Sequence, residues 1–224
     1  MEPAGFEDRF AESLRGFGLV GIIAFIAIVL GNALFAPLSA LLALLWARFS
    51  HTPWSALGFS RPRSFLRTII LGIVLGIAFK LLMKSVVMPL LGADPINRTY
   101  HFLEGNRVAL PGAVFAMVVG AGFGEETLYR GYLFERMGRL WGTGRGGKLA
   151  TVIVSSILFG LAHLADQGLA GLQQATIVGL VAGTIVAVTN RIWLPMILHA
   201  AFDLTALAII YWGLENRVAH WFFR

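Results

Sequence analysis

The sequence predicts an all-α protein, a polytopic integral membrane bundle of about six to eight transmembrane helices. It reads as a single membrane domain over residues 1–224. Three observations support this. The 224 residues are 57% hydrophobic and only 13% charged, with a mean hydropathy of +0.75. An ordinary soluble domain carries about 25% charged residues, and a soluble fold of this length has too little interior to bury so much apolar surface. The apolar residues also gather into runs near the roughly 20 residues that a bilayer span requires.

The runs follow in order. Segment one, residues 17–47, holds no charged residue. It is long for one span, which predicts a tilt or a bend near Asn32 and Pro37. Segment two, residues 68–91, contains Lys80 and Lys84, one helical turn apart. Snorkelling to an interface is the preferred reading of these lysines, with pairing to a carboxylate as the alternative. Segment three, residues 110–134, contains Glu125, Glu126 and Arg130. Segments four, five and six cover residues 149–164, 169–189 and 192–212. Glycines four apart (Gly72 with Gly76, Gly120 with Gly124, Gly179 with Gly183) predict close helix contacts.

Loop charge sets the expected orientation. Arg48, Arg61, Arg63, Arg67, Arg136, Arg139, Arg145, Lys148 and Arg191 give nine cations on one side. Arg9, Arg15, Arg98, Arg107, Arg217 and Arg224 give six on the other. The richer side is expected to be cytoplasmic, which places the N-terminus outside; division of segment one into two helices would reverse that placement. Glu2, Glu7, Asp8 and Glu12 precede the first apolar run. The start therefore lacks a secretory n-region, and segment one is expected to persist as a helix. No lipidation box is expected at the Trp221-Phe222-Phe223-Arg224 end.

Composition and motifs exclude several chemistries. The chain has no cysteine, so disulfides, Cys-ligated zinc and thiol catalysis are out. The net charge of +6 fits helix-end anchoring; no basic stripe with interleaved aromatics suggests nucleic acid. The run from Gly142 to Lys148 has phosphate-loop spacing, but an apolar helix precedes it and Leu149 follows the lysine, so a cytoplasmic turn is the better reading. Asn97-Arg98-Thr99 is a glycosylation sequon by pattern. H-E-x-x-H and G-x-S-x-G are both absent.

Polar groups remain inside the apolar helices. A charge near the bilayer centre costs about 2.5–3.5 kcal/mol on the lenient scale, so each calls for a reason. Glu126 and Arg130 are four apart and can pair on one face. Glu125 points about 100° away, towards a polar cleft. Phe159 lies four before His163, and His199 four before Asp203, so each pair shares a face. A poorly solvated Glu125 can act as a base for water. His163 can orient that water or share its proton, and His199 can donate to an oxyanion. The alternative is that Glu125, His163, His199 and Asp203 ligate one divalent metal such as zinc.

These residues carry a family resemblance. Glu125-Glu126-Thr-Leu-Tyr-Arg130, Phe159-Gly-Leu-Ala-His163 and His199-Ala-Ala-Phe-Asp203 resemble, in order and spacing, three motifs of the CAAX-protease and bacteriocin-processing family of intramembrane endopeptidases. That family includes type II CAAX prenyl proteases and lysostaphin-resistance-like proteins. Leu57-Gly58-Phe59 resembles its run-in, and residues 110–212 resemble its catalytic core. The resemblance implies an integral membrane endopeptidase in which Glu125 and His163 activate water while His199 and Asp203 hold the oxyanion. Glu126, Arg130 and Phe159 are then supporting residues. The eukaryotic Ras-converting members carry Asn where this chain has Asp203, and an ionised Asp only accepts. Members are described both as metalloproteases and as metal-independent glutamate proteases, so the cofactor stays open between one divalent metal and none.

The resemblance also implies membrane lipids and a protein or peptide substrate, lipidated or not, as partners, and a bacterial inner or plasma membrane as location. Two further readings compete with the protease. One is a non-catalytic scaffold or bacteriocin-immunity protein that keeps the fold. The other is a small transporter or proton relay, against which stands the lack of a visible inverted repeat.

Overall fold

A computed structural model describes residues 5–223; Glu2 and Arg224, counted above, lie outside the described residues. Every regular element among the described residues is helical. In order they are α1 (Phe6–Arg15), α2 (Leu19–Leu34), α3 (Ala36–Phe49), α4 (Phe65–Leu90), α5 (residues 110–141), α6 (Arg145–Thr189), α7 (Trp193–Tyr211) and α8 (Glu215–Ala219). A π-helical turn, Met83–Val87, interrupts α4. In α5 two π-helical stretches, Ala116–Glu125 and Thr127–Tyr132, join ordinary helix at both ends.

The bend expected in segment one is a full reversal. Phe35 is extended (φ −167°, ψ 111°), and Pro37 sits in the first turn of α3, where no helical N–H is needed. α3 then runs back along α2. A Cβ added at Gly31 would lie 3.2 Å from Leu42, and Phe25 and Trp46 both pack on Tyr132, at 6.0 and 4.9 Å between ring centroids. The two open ends of this hairpin lie together. Trp46 Nε1 donates to the Leu14 carbonyl at 3.0 Å, Arg15 to that of Ser50 at 3.0 Å, and Arg136 to those of Arg15 and Gly16 at 2.6 and 2.8 Å.

This corrects the expected orientation. Arg9 and Arg15 join the nine cations of the basic end, making eleven, and the opposite end keeps Arg98, Arg107 and Arg217 among the described residues. The charge bias is therefore steeper than a single-span reading of segment one allows, and α1 belongs to the basic end.

Among the described residues three helices, α4, α6 and α7, are long and apolar enough to cross a membrane, or four if α1 and α2, bent by 59°, count as one span. This is fewer than the six to eight expected. The physical causes are local. α2 and α3 have only 16 and 14 residues, the ladder of α5 changes type twice, and α6 is two legs in one. Gly168 (φ 62°, ψ −158°), a conformation open almost only to glycine, breaks α6. Its legs pack antiparallel, since a Cβ at Gly179 would lie 2.9 Å from Ser156, one at Gly183 would lie 3.3 Å from Val152, and Lys148 Nζ donates to the Ala187 carbonyl at 2.7 Å. The legs match the expected segments four and five. Of the Gly142–Lys148 run, residues 142–144 form the turn between α5 and α6, as expected, whereas residues 145–148 already belong to α6.

The glycine pairs divide. Gly72 and Gly76 seat α4 on α7, where added Cβ atoms would lie 2.7 Å from Ile197 and from Ala201 respectively. A Cβ added at Gly124 would lie 2.9 Å from the Ala36 backbone, whereas among the described residues nothing lies within 4 Å of one at Gly120. Close seating carries Lys80 and Lys84 inward, which corrects the snorkelling expectation. Lys80 donates to Gln174 at 3.1 Å, and Lys84 pairs with Glu215 at 3.5 Å and donates to the Pro95 carbonyl.

Two predictions follow from this packing. Gly76→Val should lower thermal stability in detergent by about 1–3 kcal/mol, because the branched side chain meets α7 backbone, whereas Gly120→Ala should leave it unchanged; equal melting temperatures for both variants would refute the close seating. The cysteine-free chain also suits single-cysteine labelling. Glu7→Cys and Arg145→Cys should react with an impermeant maleimide from one membrane face, and Arg107→Cys from the other.

Candidate active site

The site is built around α5, where the carboxylate pair divides by face. Glu126 is fully buried, and its Oε1 accepts from Arg130 Nη1 at 3.1 Å and from His199 Nδ1 at 2.8 Å. Glu125 turns the other way and lines a cavity of about 510 Å³. The helix-face argument anticipated this division. The bond from Glu126 to His199 was not anticipated, because it joins residues 73 apart in sequence.

Phe159 organises the neighbouring side chains. Its ring meets Tyr129 at 4.9 Å, His163 at 4.7 Å and His199 at 5.7 Å, all edge-on. The Arg130 guanidinium carbon lies 4.3 Å from the Phe159 ring centre. Arg130 Nε and Nη2 have no hydrogen-bond acceptor, and the aromatic face supplies a partner for that side of the cation. Arg130 is thus met by Glu126 on one side and by the Phe159 ring on the other.

The imidazoles differ in what they expose. His163 Nδ1 lies 2.8 Å from the Phe159 carbonyl, which can only accept. Nδ1 therefore carries a proton, and in the neutral ring Nε2 presents a lone pair. His199 Nδ1 faces Glu126, and its Nε2 lies 3.9 Å from Glu125 and 3.6 Å from Asp203. Glu125, His163, His199 and Asp203 all line the one cavity. As a metal-ligand set they do not converge: among the described residues no group of three His, Asp or Glu side chains is arranged to hold a metal ion.

The rest of the wall was not foreseen from sequence. Lys80, Gln174, Gln167, Asn97 and Tyr100 join it, as does the α2–α3 turn at Phe35, Ala36 and Pro37. The segment after α4 is pinned over the cavity by Glu215, whose Oε1 accepts from the Asn97 N–H at 2.8 Å and whose Oε2 lies 3.3 Å from His101 Nδ1. Thr99 donates to the Asp166 carbonyl at 2.7 Å, which ties the same segment to the turn of α6. Burial pushes the Tyr100 phenol above its usual range, and the Asp203 and Glu125 carboxylates push it further. Asn97 of the sequon thus sits in the cavity wall.

Residues 107–205, 99 of the 224, match the family model described as Type II CAAX prenyl endopeptidase Rce1-like. The matched stretch contains all three motifs and every charged side chain of the cluster around Glu126. No curated protein shows significant similarity to the chain. No solved structure does so either. The family is one of proteases, and apolar helices of spanning length agree with a membrane setting. Through residues 107–205 the chain is similar to the type II CAAX prenyl endopeptidases.

Proposed function

We propose that the chain is an intramembrane endopeptidase that hydrolyses peptide bonds with water activated by Glu125 and His163. The observation that carries the reading is the cavity wall shared by Glu125, His163, His199 and Asp203, backed by the buried Glu126–Arg130 pair.

The side chains can divide the chemistry as follows. Glu125, or His163 through its Nε2 lone pair, takes a proton from water. The resulting hydroxide attacks the peptide carbonyl, and its oxygen becomes an oxyanion. His199 donates to that oxyanion from Nε2, which requires the imidazolium form because Nδ1–H is given to Glu126. Glu126, Glu125 and Asp203 supply the counter-charge for that form. Collapse of the tetrahedral intermediate breaks the C–N bond, and the proton taken from water passes to the leaving amine. Asp203 acts in this scheme by orienting His199, a role that an acceptor can fill where a donor to the oxyanion is not available. Glu126 and Arg130 position the imidazoles from outside the cavity lining, and Phe159 packs on both rings from within it.

The finer reading covers the whole chain. It is one membrane domain over residues 1–224 with six to eight crossings, about as many as its apolar runs allow. Its catalytic core spans residues 110–212, in a bacterial inner or plasma membrane. Its partners are lipids and a protein or peptide substrate, processed at the C-terminus or within the membrane, with or without a lipid anchor.

Glu125→Gln and His163→Ala should each lower turnover by about 10²–10⁴-fold, the usual worth of a general base, with folded yield unchanged. Mass spectrometry of protein termini in cells expressing wild type or Glu125→Gln reads this out. Termini unique to wild type support the protease, and identical termini with both proteins folded transfer the case to the scaffold or immunity reading. Arg130→Ala should act differently. It strands Glu126 as a buried charge, costs about 3–5 kcal/mol and lowers folded yield; a yield equal to wild type would contradict that role.

A further inference from the structure

Lys80 and Lys84 occupy successive turns of α4 but have different surroundings. Lys84 is matched by the Glu215 carboxylate at 3.5 Å. Lys80 is buried, with 6% of its surface exposed, and among the described residues it makes no ion pair. Its Nζ donates to the neutral Gln174 amide at 3.1 Å and lies 4.7 Å from the centre of the Phe202 ring. An ammonium has three N–H donors. One goes to Gln174, the ring takes up part of the charge, and Asp203 and Glu215 act on it only from beyond ion-pair distance.

The position of Lys80 gives that deficit a direction. Lys80 and Gln174 line the wall of the catalytic cavity, and both also line a second cavity of about 220 Å³ that shares Asn97 and Gln167 with the first. Lys80 therefore stands at the junction of the reactive chamber and a polar annex. Among the described residues it is the one lysine in the catalytic wall, which contains no arginine. A buried cation with no carboxylate in contact is costly, and intramembrane lysines mark ligand paths. A neutral amide and an aromatic face hold the ammonium in place while leaving it able to receive an anion.

Resting on the peptidase reading, we infer that Lys80 is a specificity-determining residue that receives a carboxylate of the peptide substrate close to the bond cut. On α7, Phe202 lies three residues, about 4.5 Å, from His199. An extended peptide advances about 3.3–3.6 Å per residue. The carboxylate that fits is thus within about three residues of the scissile bond. It is either the chain's terminal carboxylate or an acidic side chain.

The test is a binding titration of three acetylated tripeptides to the full chain in detergent, in a Glu125→Gln background so that no probe is consumed. The probes are Phe-Leu-Ile with a free carboxylate, Phe-Leu-Ile amide and Phe-Asp-Ile amide. One of the acidic peptides should bind at least about tenfold more tightly than the neutral amide, as expected of a site that rejects a partner leaving its polar group unpaired. Whichever acidic peptide binds tighter names the source of the carboxylate. The preference should vanish in Lys80→Met and persist in Lys80→Arg, with Lys80→Gln read instead if Lys80→Met does not elute as folded protein. Equal binding of the three peptides, no binding of any by folded protein, or an unchanged preference without the Lys80 charge overturns the inference. Binding needs no turnover, so such a failure leaves the peptidase reading standing. Absence of wild-type-specific termini would defeat that reading without altering the binding result.

Discussion

The Glu126 carboxylate is the group on which the arrangement depends. It is fully buried, and one oxygen serves both Arg130 and His199. Each of these three groups would be expensive alone in an apolar interior. Together they form a chain of alternating charge from the Phe159 ring through Arg130 and Glu126 to His199. The chain fixes which nitrogen of His199 faces the cavity. It also leaves Glu125, the neighbouring residue, facing the cavity.

Small residues convert this electrostatic arrangement into a shaped cavity. Gly124 lets α5 approach the α2–α3 turn, and Gly76 lets α4 sit on α7. The first contact brings Phe35, Ala36 and Pro37 into the cavity wall, and the second brings Lys80 beside Phe202. Glu215 closes the far end by gathering Lys84, Asn97 and His101 around one buried carboxylate. Two buried carboxylates, Glu126 and Glu215, thus hold opposite parts of the same chamber through different partners.

What was legible in the sequence follows the range of the interaction. The Glu126–Arg130 pair, the Phe159–His163 contact and the His199–Asp203 approach are four-residue relations within one helix, and all three were readable from spacing. The interruption between residues 164 and 169 was readable too, as a gap between two apolar runs, and the structure puts the break at Gly168 within it. The bend near Pro37 was anticipated but its sharpness was not, since one extended residue, Phe35, reverses the path. That reversal then moved α1 to the basic end. The inward turn of Lys80 and Lys84, the bond from Glu126 to His199 and the changed ladder of α5 depend on which helix lies against which. Periodicity does not encode that choice.

The shared oxygen of Glu126 also bears on the order in which the bundle forms. Arg130 lies within the same helix, so Glu126 is neutralised within α5 as soon as that helix is made. His199 lies on the last long helix, emerges later in synthesis, and completes the pair into a trio. α5 can therefore wait with its Glu126 charge already matched, and the arrival of α7 is rewarded by capture of a polar group. In lipid, where apolar surfaces gain little by meeting one another, such a late polar capture gives the final helix a specific place to dock.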